Sequence, residues 1–364
     1  MDGADGFGEE AFGVAVDAAG NPVIVGYFDD TINFGGGLLT SAGLLDAFVA
    51  RFDPSGAHLF SAAYGDPSVQ VAVDVDTDAQ GNLLVLANGY GTMNFGGGPL
   101  VSAGEYDSFV AKLSPTGAHL WSKRFGNAQD DDATGIVVDG AGDVLVCGTM
   151  SGSINFGGGA LVSGGAFDAY VVKLSSAGAH VWSKRFGDAA NQGATEVAVD
   201  AAGNVIVTGG FEGSIDFGLG AIGAVGVADI FVAKLSPAGV GMWSHRYGGA
   251  ATDLDAPGLT VGPDGRPLLV GSVSGPVDFG GGMLPDGGAR DLFVVRFDAA
   301  GGHAWSRRAG STGNQYAIGA AVDVDGDPIV VGHFENTLFL GDVGEGTLLT
   351  SFGGLDVFVA KLAK

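Results

Sequence analysis

Apolar and polar residues alternate in short runs along the whole chain, and no stretch keeps the spacing of an amphipathic helix. Each run is rich in β-branched or aromatic residues and ends at Gly, Asp, Asn or Ser. One segment contains four such runs in order: "TGIVVD", "DVLVCGTM", "FDAYVVKL" and "AHVWSKRF". The pattern predicts four β-strands in this segment and an all-β protein.

The connections between the runs predict two tight hairpins joined by a longer loop. The first two runs are linked by "GAG", "AAGN" or "AQGN", which suit turns that need positive φ. The last two are linked by "SSAG", "DPSG" or "SPTG", where proline presets φ. The longer loop carries "INFGGG" or a relative of it, and its glycines precede no helix, so a phosphate cradle is not expected.

This four-strand segment recurs with a period of about 61 residues. The repeat is marked by turn aspartates, with a glycine in the fifth slot: Asp17, Asp78, Asp139, Asp200, Gly262 and Asp323. A second mark is the residue before the glycine run: Phe34, Phe95, Phe156, Phe217, Phe279 and Leu340. Repeated four-stranded units are typical of β-propeller blades. An open stack of β units is the rival, but a ring removes free edges more completely.

We therefore predict one six-bladed β-propeller domain over residues 1–364, with four antiparallel strands in each blade. The predicted blades span residues 12–65, 73–126, 134–187, 195–248, 257–310 and 318–364. The last blade lacks its outermost strand, because the chain stops after "DVFVAKLAK" without a copy of "AHVWSKRFG". Residues 1–12 are too rich in glycine and acid to supply that strand.

Two explanations of the missing strand stay open. The preferred one is a boundary cut within a longer repeat-containing chain. The other is a strand donated by another chain at the open edge formed by Asp356, Phe358 and Lys361. Lys361 and Lys364 weakly discourage such pairing.

The repeat also carries a family resemblance. The text "DSFVAKLSPTGAHLWSKRFG", "VAVDAAGNVIVTG" and "DIFVAKLSPAG" resembles the bacterial β-propeller repeat family known as SBBP, over essentially the whole chain. The "INFGGG" loop departs from that pattern. The resemblance implies a secreted or cell-surface bacterial protein and implies no catalytic residues.

Composition and charge narrow the classes of partner. The formal net charge of −25 repels nucleic acid and anionic lipid and attracts cations. No segment has the length and composition of a membrane helix. The single cysteine, Cys147, lies in an apolar run and is expected to be buried. No signal peptide follows Met1, so we expect a mature or an engineered N-terminus.

Antiparallel order places the long loops and the links between blades on one face. Variable segments on a rigid scaffold often bind ligands, so this face is the expected ligand-binding face. Its polar candidates are Asp130, Asp131, Asp132, Asn191, Gln192, Asp253, Asp255, Asn314 and Gln315. The basic residues instead fall mainly on the outer two strands of each blade, where we expect them to protect exposed edges.

The candidate metal site is the "DVDTD" run with Asp74, Asp76 and Asp78, which resembles the start of a calcium loop. It does not continue to the glycine and distal glutamate of an EF-hand, so a solvated turn is the favoured interpretation. The recurrent histidines His58, His119, His180 and His303 are expected to be structural, and the recurrent tryptophans to pack between blades or on outer strands. No nucleophile elbow, P-loop, zincin or zinc-finger spacing occurs.

The sequence thus predicts a non-enzymatic extracellular or cell-surface scaffold that binds protein or carbohydrate through the loop face. It requires no cofactor, with calcium as the one suggested ion, and neither nucleic-acid binding nor membrane insertion is expected. One alternative is a metal-assisted lyase or hydrolase acting in an acidic channel mouth. Another is an assembly module that uses the open edge of blade six.

Overall fold

A computed structural model describes residues 8–250, 252–342 and 345–362. These residues form strands and turns without a helix, and six small antiparallel sheets form a six-bladed β-propeller. The predicted fold class is confirmed. Residues 1–12 are not expected to supply the missing strand of blade six. Residues 1–7 lie outside the described residues, and residues 9–12 begin the first strand of blade one. None of the described residues belongs to a helix that could cross a membrane.

Each blade contains a first, second and third strand, and five blades add a fourth. The first strands are β1 (Glu9–Val16), β7 (Gln70–Thr77), β13 (Asp131–Val138), β19 (Gln192–Val199), β25 (Asp253–Val261) and β31 (Gln315–Val322). The second strands are β2 (Pro22–Phe28), β8 (Leu83–Gly89), β14 (Val144–Met150), β20 (Val205–Phe211), β26 (Pro267–Ser274) and β32 (Pro328–Phe334). The third strands are β5 (Asp46–Phe52), β11 (Asp107–Leu113), β17 (Asp168–Leu174), β23 (Asp229–Leu235), β29 (Asp291–Phe297) and β35 (Asp356–Lys361). The fourth strands are β6 (His58–Tyr64), β12 (His119–Phe125), β18 (His180–Phe186), β24 (Gly241–Tyr247) and β30 (His303–Ala309).

The strands of each sheet follow one another in chain order, as hairpin connections require. Blades one to five are four-stranded, whereas blade six has the order β31-β32-β35 and ends at β35. Among the described residues, blade six thus has no outermost strand, as predicted.

The loop between the second and third strands is itself a small two-stranded ribbon, which the sequence pattern did not reveal. The ribbons are β3 (Thr31–Asn33) with β4 (Leu38–Thr40), β9 (Thr92–Met93) with β10 (Leu100–Val101), β15 (Ser153–Asn155) with β16 (Ala160–Val162), β21 (Ser214–Ile215) with β22 (Ile222–Gly223), β27 (Val277–Asp278) with β28 (Met283–Leu284), and β33 (Thr337–Asp342) with β34 (Glu345–Thr350). Ribbons of two or three residues per strand are too short for a clear alternation of apolar and polar positions.

The chain divides into two compact units, Met1–Arg185 and Phe186–Lys364. Unit one holds blades one to three and unit two holds blades four to six, with the division inside β18. The prediction of one domain over residues 1–364 stays a prediction.

The core of each unit lies between neighbouring blades. In unit one, Val110 of β11 belongs to the same buried cluster as Ile136 of β13. In unit two, Val232 of β23 shares a cluster with Leu259 of β25. Second and third strands such as β8 and β11 are buried along their whole length, since both faces of the sheet are covered. This double burial explains the continuous apolar run LLVLA at the start of β8.

The basic residues of the third strands of blades one to five are buried, which corrects the expectation that they protect exposed edges. Lys112 Nζ lies 2.8 Å from Asp78 Oδ2, and Lys173 Nζ lies 2.7 Å from Asp139 Oδ2. Each pair joins a third strand to the turn after the first strand of the same blade. In blade five Gly262 replaces the turn aspartate, and Arg296 pairs with Asp264 instead at 2.8 Å. A cation buried this deeply needs a partner, so the repeat keeps both charges together.

Candidate functional site

In each unit the candidate functional surface is formed by three tip loops and by the links that lead into the next blade. A tip loop is the four residues before a third strand. The tip loops are residues 42–45, 103–106 and 164–167 in unit one and residues 225–228, 287–290 and 352–355 in unit two. Backbone hydrogen bonds place loop and link side by side, as antiparallel order predicts. Gln70 N donates to Leu45 O at 2.8 Å, and Gln315 N donates to Arg290 O at 2.7 Å.

An aspartate at the start of the third strand holds every tip loop in the same way. Its carboxylate accepts a hydrogen bond from the backbone N–H four residues earlier, at 2.5 to 3.0 Å. The pairs are Ala42 with Asp46, Ala103 with Asp107, Gly164 with Asp168, Val225 with Asp229, Gly287 with Asp291, and Phe352 with Asp356. In blades two to five an arginine of the fourth strand pairs with the same carboxylate: Arg124, Arg185, Arg246 and Arg308. Each tip loop is therefore held to its own blade by the same type of hydrogen bond.

The side chains carried by the tip loops differ from blade to blade. Leu44 and Phe167 are exposed in unit one, and Val227 and Phe352 are exposed in unit two, Phe352 almost completely. Blade two instead presents Tyr106, whose ring lies 4.1 Å from that of Tyr90. Constant anchoring with varied, largely apolar tips is typical of a binding surface.

Three of the predicted link residues occupy one repeated position at the start of the first strand, and all three are buried: Asp131, Gln192 and Gln315. Gln192 Nε2 donates to Asp188 Oδ1 at 2.8 Å and to Glu212 O at 3.0 Å. Gln315 Oε1 accepts from Ser311 N at 3.0 Å. These side chains therefore hydrogen-bond to the link that leads into their own blade. Sequence reasoning missed Gln70, which does the same in blade two and shares the repeat position.

Asp131 replaces this glutamine in blade three. Its carboxylate accepts from Asn127 N at 2.7 Å and from Ser151 N at 3.0 Å. Burial raises the pKa of Asp131 to about 6, against the lowering effect of these two hydrogen bonds. Asp131 is therefore a buried structural group.

The neighbours of Asp131 are more accessible. Asp130 is exposed, and its carboxylate accepts from Tyr106 N at 3.3 Å. Asp132 is half-buried, and burial together with the charge of Asp130 raises its pKa. These two carboxylates remain candidates for contact with a ligand of blade three.

The remaining predicted residues each meet a partner within their own blade. Asn191 Nδ2 donates to Glu212 Oε2 at 3.2 Å, and Asn314 Nδ2 donates to Glu335 Oε2 at 3.0 Å. Asp253 is exposed and forms an ion pair with Arg290, which follows the tip-loop glycines of blade five. Burial raises the pKa of Asp255, although nearby Arg290 opposes the shift. The structure therefore assembles three separate polar pairs here, one per blade.

Two of the three candidate calcium ligands, Asp74 and Asp76, accept hydrogen bonds from backbone N–H groups of the protein. Asp74 Oδ2 accepts from Ile136 N at 2.8 Å, and Asp76 Oδ2 accepts from Val138 N at 2.7 Å. Both carboxylates thus join β7 to β13, the first strand of the next blade. Burial is the main cause that raises the pKa of Asp74 to about 7, and it raises the pKa of Asp76 as well. This interblade bridge replaces the solvated turn that the sequence favoured.

Asp78, the third residue of the motif, belongs to a different contact. It pairs with Lys112 and accepts hydrogen bonds from Gln80 N and Asn82 N, both at 2.9 Å. Within the described ranges, no three His, Cys, Asp or Glu side chains are grouped so that they could hold a metal ion. Calcium binding stays a prediction.

The backbone N–H groups of the glycine-rich loop of blade two bind the side chain of Asn94, which precedes the glycine run. Asn94 Oδ1 accepts from Gly96 N at 2.9 Å and from Gly98 N at 3.1 Å. Gly96 and Gly98 have φ of 103° and 112°, a conformation that favours glycine. The amide groups that would cradle a phosphate are thus already occupied by Asn94, in agreement with the sequence-based expectation.

The recurrent histidines and tryptophans have structural contacts. His119 Nε2 and Ser122 Oγ lie 3.0 Å apart, so the partner of this histidine is a serine three residues later. Trp121 Nε1 donates to Ser176 O of the next blade at 3.0 Å. A cleft of about 410 Å³ lies at this seam and is lined in part by Lys123 and His180. The predicted packing role of Trp121 between blades is confirmed.

Comparison with known proteins found solved structures of distant similarity. No protein-family model matches the chain, and no curated protein matches it. The chain is similar to the solved structure of Kuenenia stuttgartiensis hydrazine synthase, with 13% identity, a TM-score of 0.48, and coverage of 90% of this chain and 76% of that one. A variant of Synechocystis apocarotenoid oxygenase matches at 11% identity and a TM-score of 0.47, with coverage of 92% and 74%. The Neurospora crassa Pan2 WD40 domain matches at 11% identity and a TM-score of 0.39, with coverage of 88% and 86%.

Proposed function

We propose that this protein is a non-enzymatic binding scaffold of the extracellular space or the bacterial cell surface, and that its tip loops bind a protein or glycan ligand. The observation that carries the proposal is that the same type of hydrogen bond holds every tip loop, while the exposed side chains differ from blade to blade. The location rests on the resemblance of the repeat to SBBP propellers.

The distribution of polar groups supports binding through the tips. The buried polar residues Asp131, Gln192 and Gln315 hold the links, and Asp74 and Asp76 join two blades. The groups that remain on the surface are apolar or aromatic tips, together with scattered carboxylates such as Asp130. Such surfaces bury apolar area on contact and use charge for specificity.

The experiment measures binding of the labelled chain to a glycan array and to an immobilised fraction of bacterial surface proteins. The test variant combines Leu44→Ser with Phe167→Ser, which removes two apolar tips of unit one. The matched control combines Leu120→Ser with Met242→Ser, since both are about half exposed on fourth strands, away from the tips.

We expect the tip variant to weaken binding at least about tenfold, which is ~1.4 kcal/mol, while the control binds like the original chain. Binding that survives in the tip variant, or that falls equally in the control, would contradict the proposal.

A further inference from the structure

Four seams between neighbouring blades are filled by the same kind of aromatic pair. One ring ends a fourth strand, and the other stands before the glycine run of the next blade. The pairs, with ring centroids 4.6 to 5.2 Å apart, are Tyr64 with Phe95, Phe125 with Phe156, Phe186 with Phe217, and Tyr247 with Phe279. All of these rings are buried, and each pair lies inside one of the two units.

The seam between blades five and six has neither ring. Ala309 ends the fourth strand β30, and Leu340 takes the second position in the ribbon strand β33. Both residues are half-buried, unlike the rings that they replace. Both belong to unit two.

A cavity of about 140 Å³ lies at this seam. We name it the ring cavity. Its apolar lining comes from β29, the end of β30, the ribbon of blade six and the residue after β35: Leu292, Val294, Ala309, Leu340 and Leu362. The half-exposed Ala309 and Leu340 leave an entry from solvent.

The position of the ring cavity matches that of the missing rings. Four repeat positions belong to one buried cluster in blades two and three: Val110, Phe125, Phe156 and Leu174. The same positions belong to one cluster in blades five and six: Val294, Ala309, Leu340 and Leu362. The second cluster encloses a cavity because its two smaller side chains do not fill the space of two rings.

Two cations at the ring cavity are engaged by the protein. Arg307 and Arg308 complete its lining. Arg308 Nε lies 2.7 Å from Asp291 Oδ2, and Arg308 Nη1 donates to Gly275 O at 2.6 Å. The guanidinium carbon of Arg307 lies 5.8 Å from the centre of the Trp305 ring. Neither cation needs a charge from a ligand, so the ring cavity favours a neutral one.

We propose that the ring cavity binds a small uncharged aromatic molecule of the size of benzene or indole. The ligand is aromatic because aromatic rings of the chain itself occupy the equivalent space at four other seams. The volume agrees, since an apolar cavity of about 150 Å³ stays dry and binds benzene. This proposal does not depend on the tip-loop function.

The test begins with ligand-observed NMR titrations of the full 364-residue chain with benzene, indole and benzoate. We expect saturable binding of benzene and indole with a Kd of about 1 mM or lower. Benzoate has a similar ring but carries a charge into an apolar cavity, so it should bind more weakly.

A variant that restores the rings should close the site. Ala309→Phe combined with Leu340→Phe rebuilds the aromatic pair, and we expect it to weaken benzene binding at least about tenfold. The matched control combines Ala304→Phe with Leu348→Phe. It makes the same two substitutions at exposed positions of β30 and of the blade-six ribbon, and it should bind benzene like the original chain.

Xenon locates the site directly, because this gas enters apolar cavities. In crystals of the chain under xenon pressure, we expect xenon beside Val294 and Leu362. The converse variant, Phe125→Ala with Phe156→Leu, transfers the residues of the ring cavity to the seam between blades two and three. It should add a second xenon position there.

The proposal would be overturned if neither benzene nor indole showed saturable binding, or if binding survived in the ring-restoring variant or fell equally in its control. Absence of xenon from the cavity, or of the second xenon position in the folded converse variant, would also overturn it. Tighter binding of benzoate than of benzene would contradict a neutral ligand. The Leu44→Ser/Phe167→Ser variant should bind benzene unchanged, which separates this site from the tip loops.

Discussion

At the scale of single residues, the glycine loop and the recurrent histidine are one packing unit. The ring of His119 covers Gly97 so closely that a Cβ on Gly97 would lie 2.1 Å from His119 Cε1. The same contact recurs at Gly36, Gly158 and Gly281 with His58, His180 and His303. In blade four the two residues are replaced together: Leu219 stands in the glycine position and Gly241 in the histidine position. The leucine side chain lies beside Gly241, where the histidine ring lies in the other blades.

This exchange predicts a rescue within blade two. Gly97→Leu should lower the free energy of unfolding by about 1–3 kcal/mol, because the leucine overlaps the His119 ring. Adding His119→Gly should recover most of that loss by recreating the blade-four arrangement. The measurement is urea unfolding of both single variants and the double variant. Losses that simply add in the double variant would show that the two positions are not coupled.

At the scale of elements, the arginine of the fourth strand fixes the aspartate under the tip loop. Arg124 Nη1 lies 2.5 Å from Asp107 Oδ2, and Arg246 Nη1 lies 2.6 Å from Asp229 Oδ2. In blade one this register position holds Ala63, opposite Phe48, as Arg124 stands opposite Phe109. Asp46 is therefore buried without the arginine, and its pKa is raised chiefly by burial.

Ala63→Arg should supply the missing partner of Asp46. An acid whose folded pKa is raised loses stability as the pH rises through its unfolded and then its folded pKa. The arginine favours the charged carboxylate, so we expect the variant to gain about 1 kcal/mol at pH 7. The gain should disappear below about pH 4, where Asp46 is protonated in both states.

Urea unfolding at pH 7 and at pH 3.5 measures this gain. Ala62→Arg is the control, because it adds the same charge one residue away, on the other face of β6. An equal gain in both variants, or a gain that persists at pH 3.5, would attribute the effect to net charge and not to Asp46.

At the scale of the whole molecule, the described residues give five blades a fourth strand on their outer side and give blade six none. In this part of the chain β29 pairs with both β26 and β30, whereas β35 pairs with β32 alone. Blade six also lacks both the glycine run and the histidine that packs on it, since its ribbon β33–β34 is longer and differently built. The open side of blade six is thus accompanied by a change in its neighbouring ribbon.

Hydrogen exchange should report this difference. We expect the peptide that covers β35 to exchange at least about tenfold faster than the one that covers β29, because every second N–H of an edge strand lacks a ladder partner. Peptide-level mass spectrometry of the full chain measures both in one experiment. Equal protection of the two strands at low protein concentration would contradict the expectation.

The sequence predicted the repeat, the six blades and the missing strand correctly, because β-periodicity and turn chemistry are local and recur at a fixed spacing. It also identified Trp121 as a packing residue and the histidines as structural. The sequence did not predict the roles of Asp74, Asp131 and Gln192. A polar residue in a strand gives the same sequence pattern whether its side chain faces a ligand or bonds to a neighbouring backbone amide.

Only the tertiary structure decided where those polar groups point. The blade-three amides that bind Asp74 and Asp76 lie about 62 residues away in the chain, and a separation of that length leaves no local signal. The burial of Lys112 was likewise not predictable from the sequence, where its charge suggested an exposed edge. In the structure Lys112 is buried and pairs with Asp78. The apolar and polar pattern along each strand determined the fold. Packing between neighbouring blades determined which side chains are buried and which stay exposed for contact with a ligand.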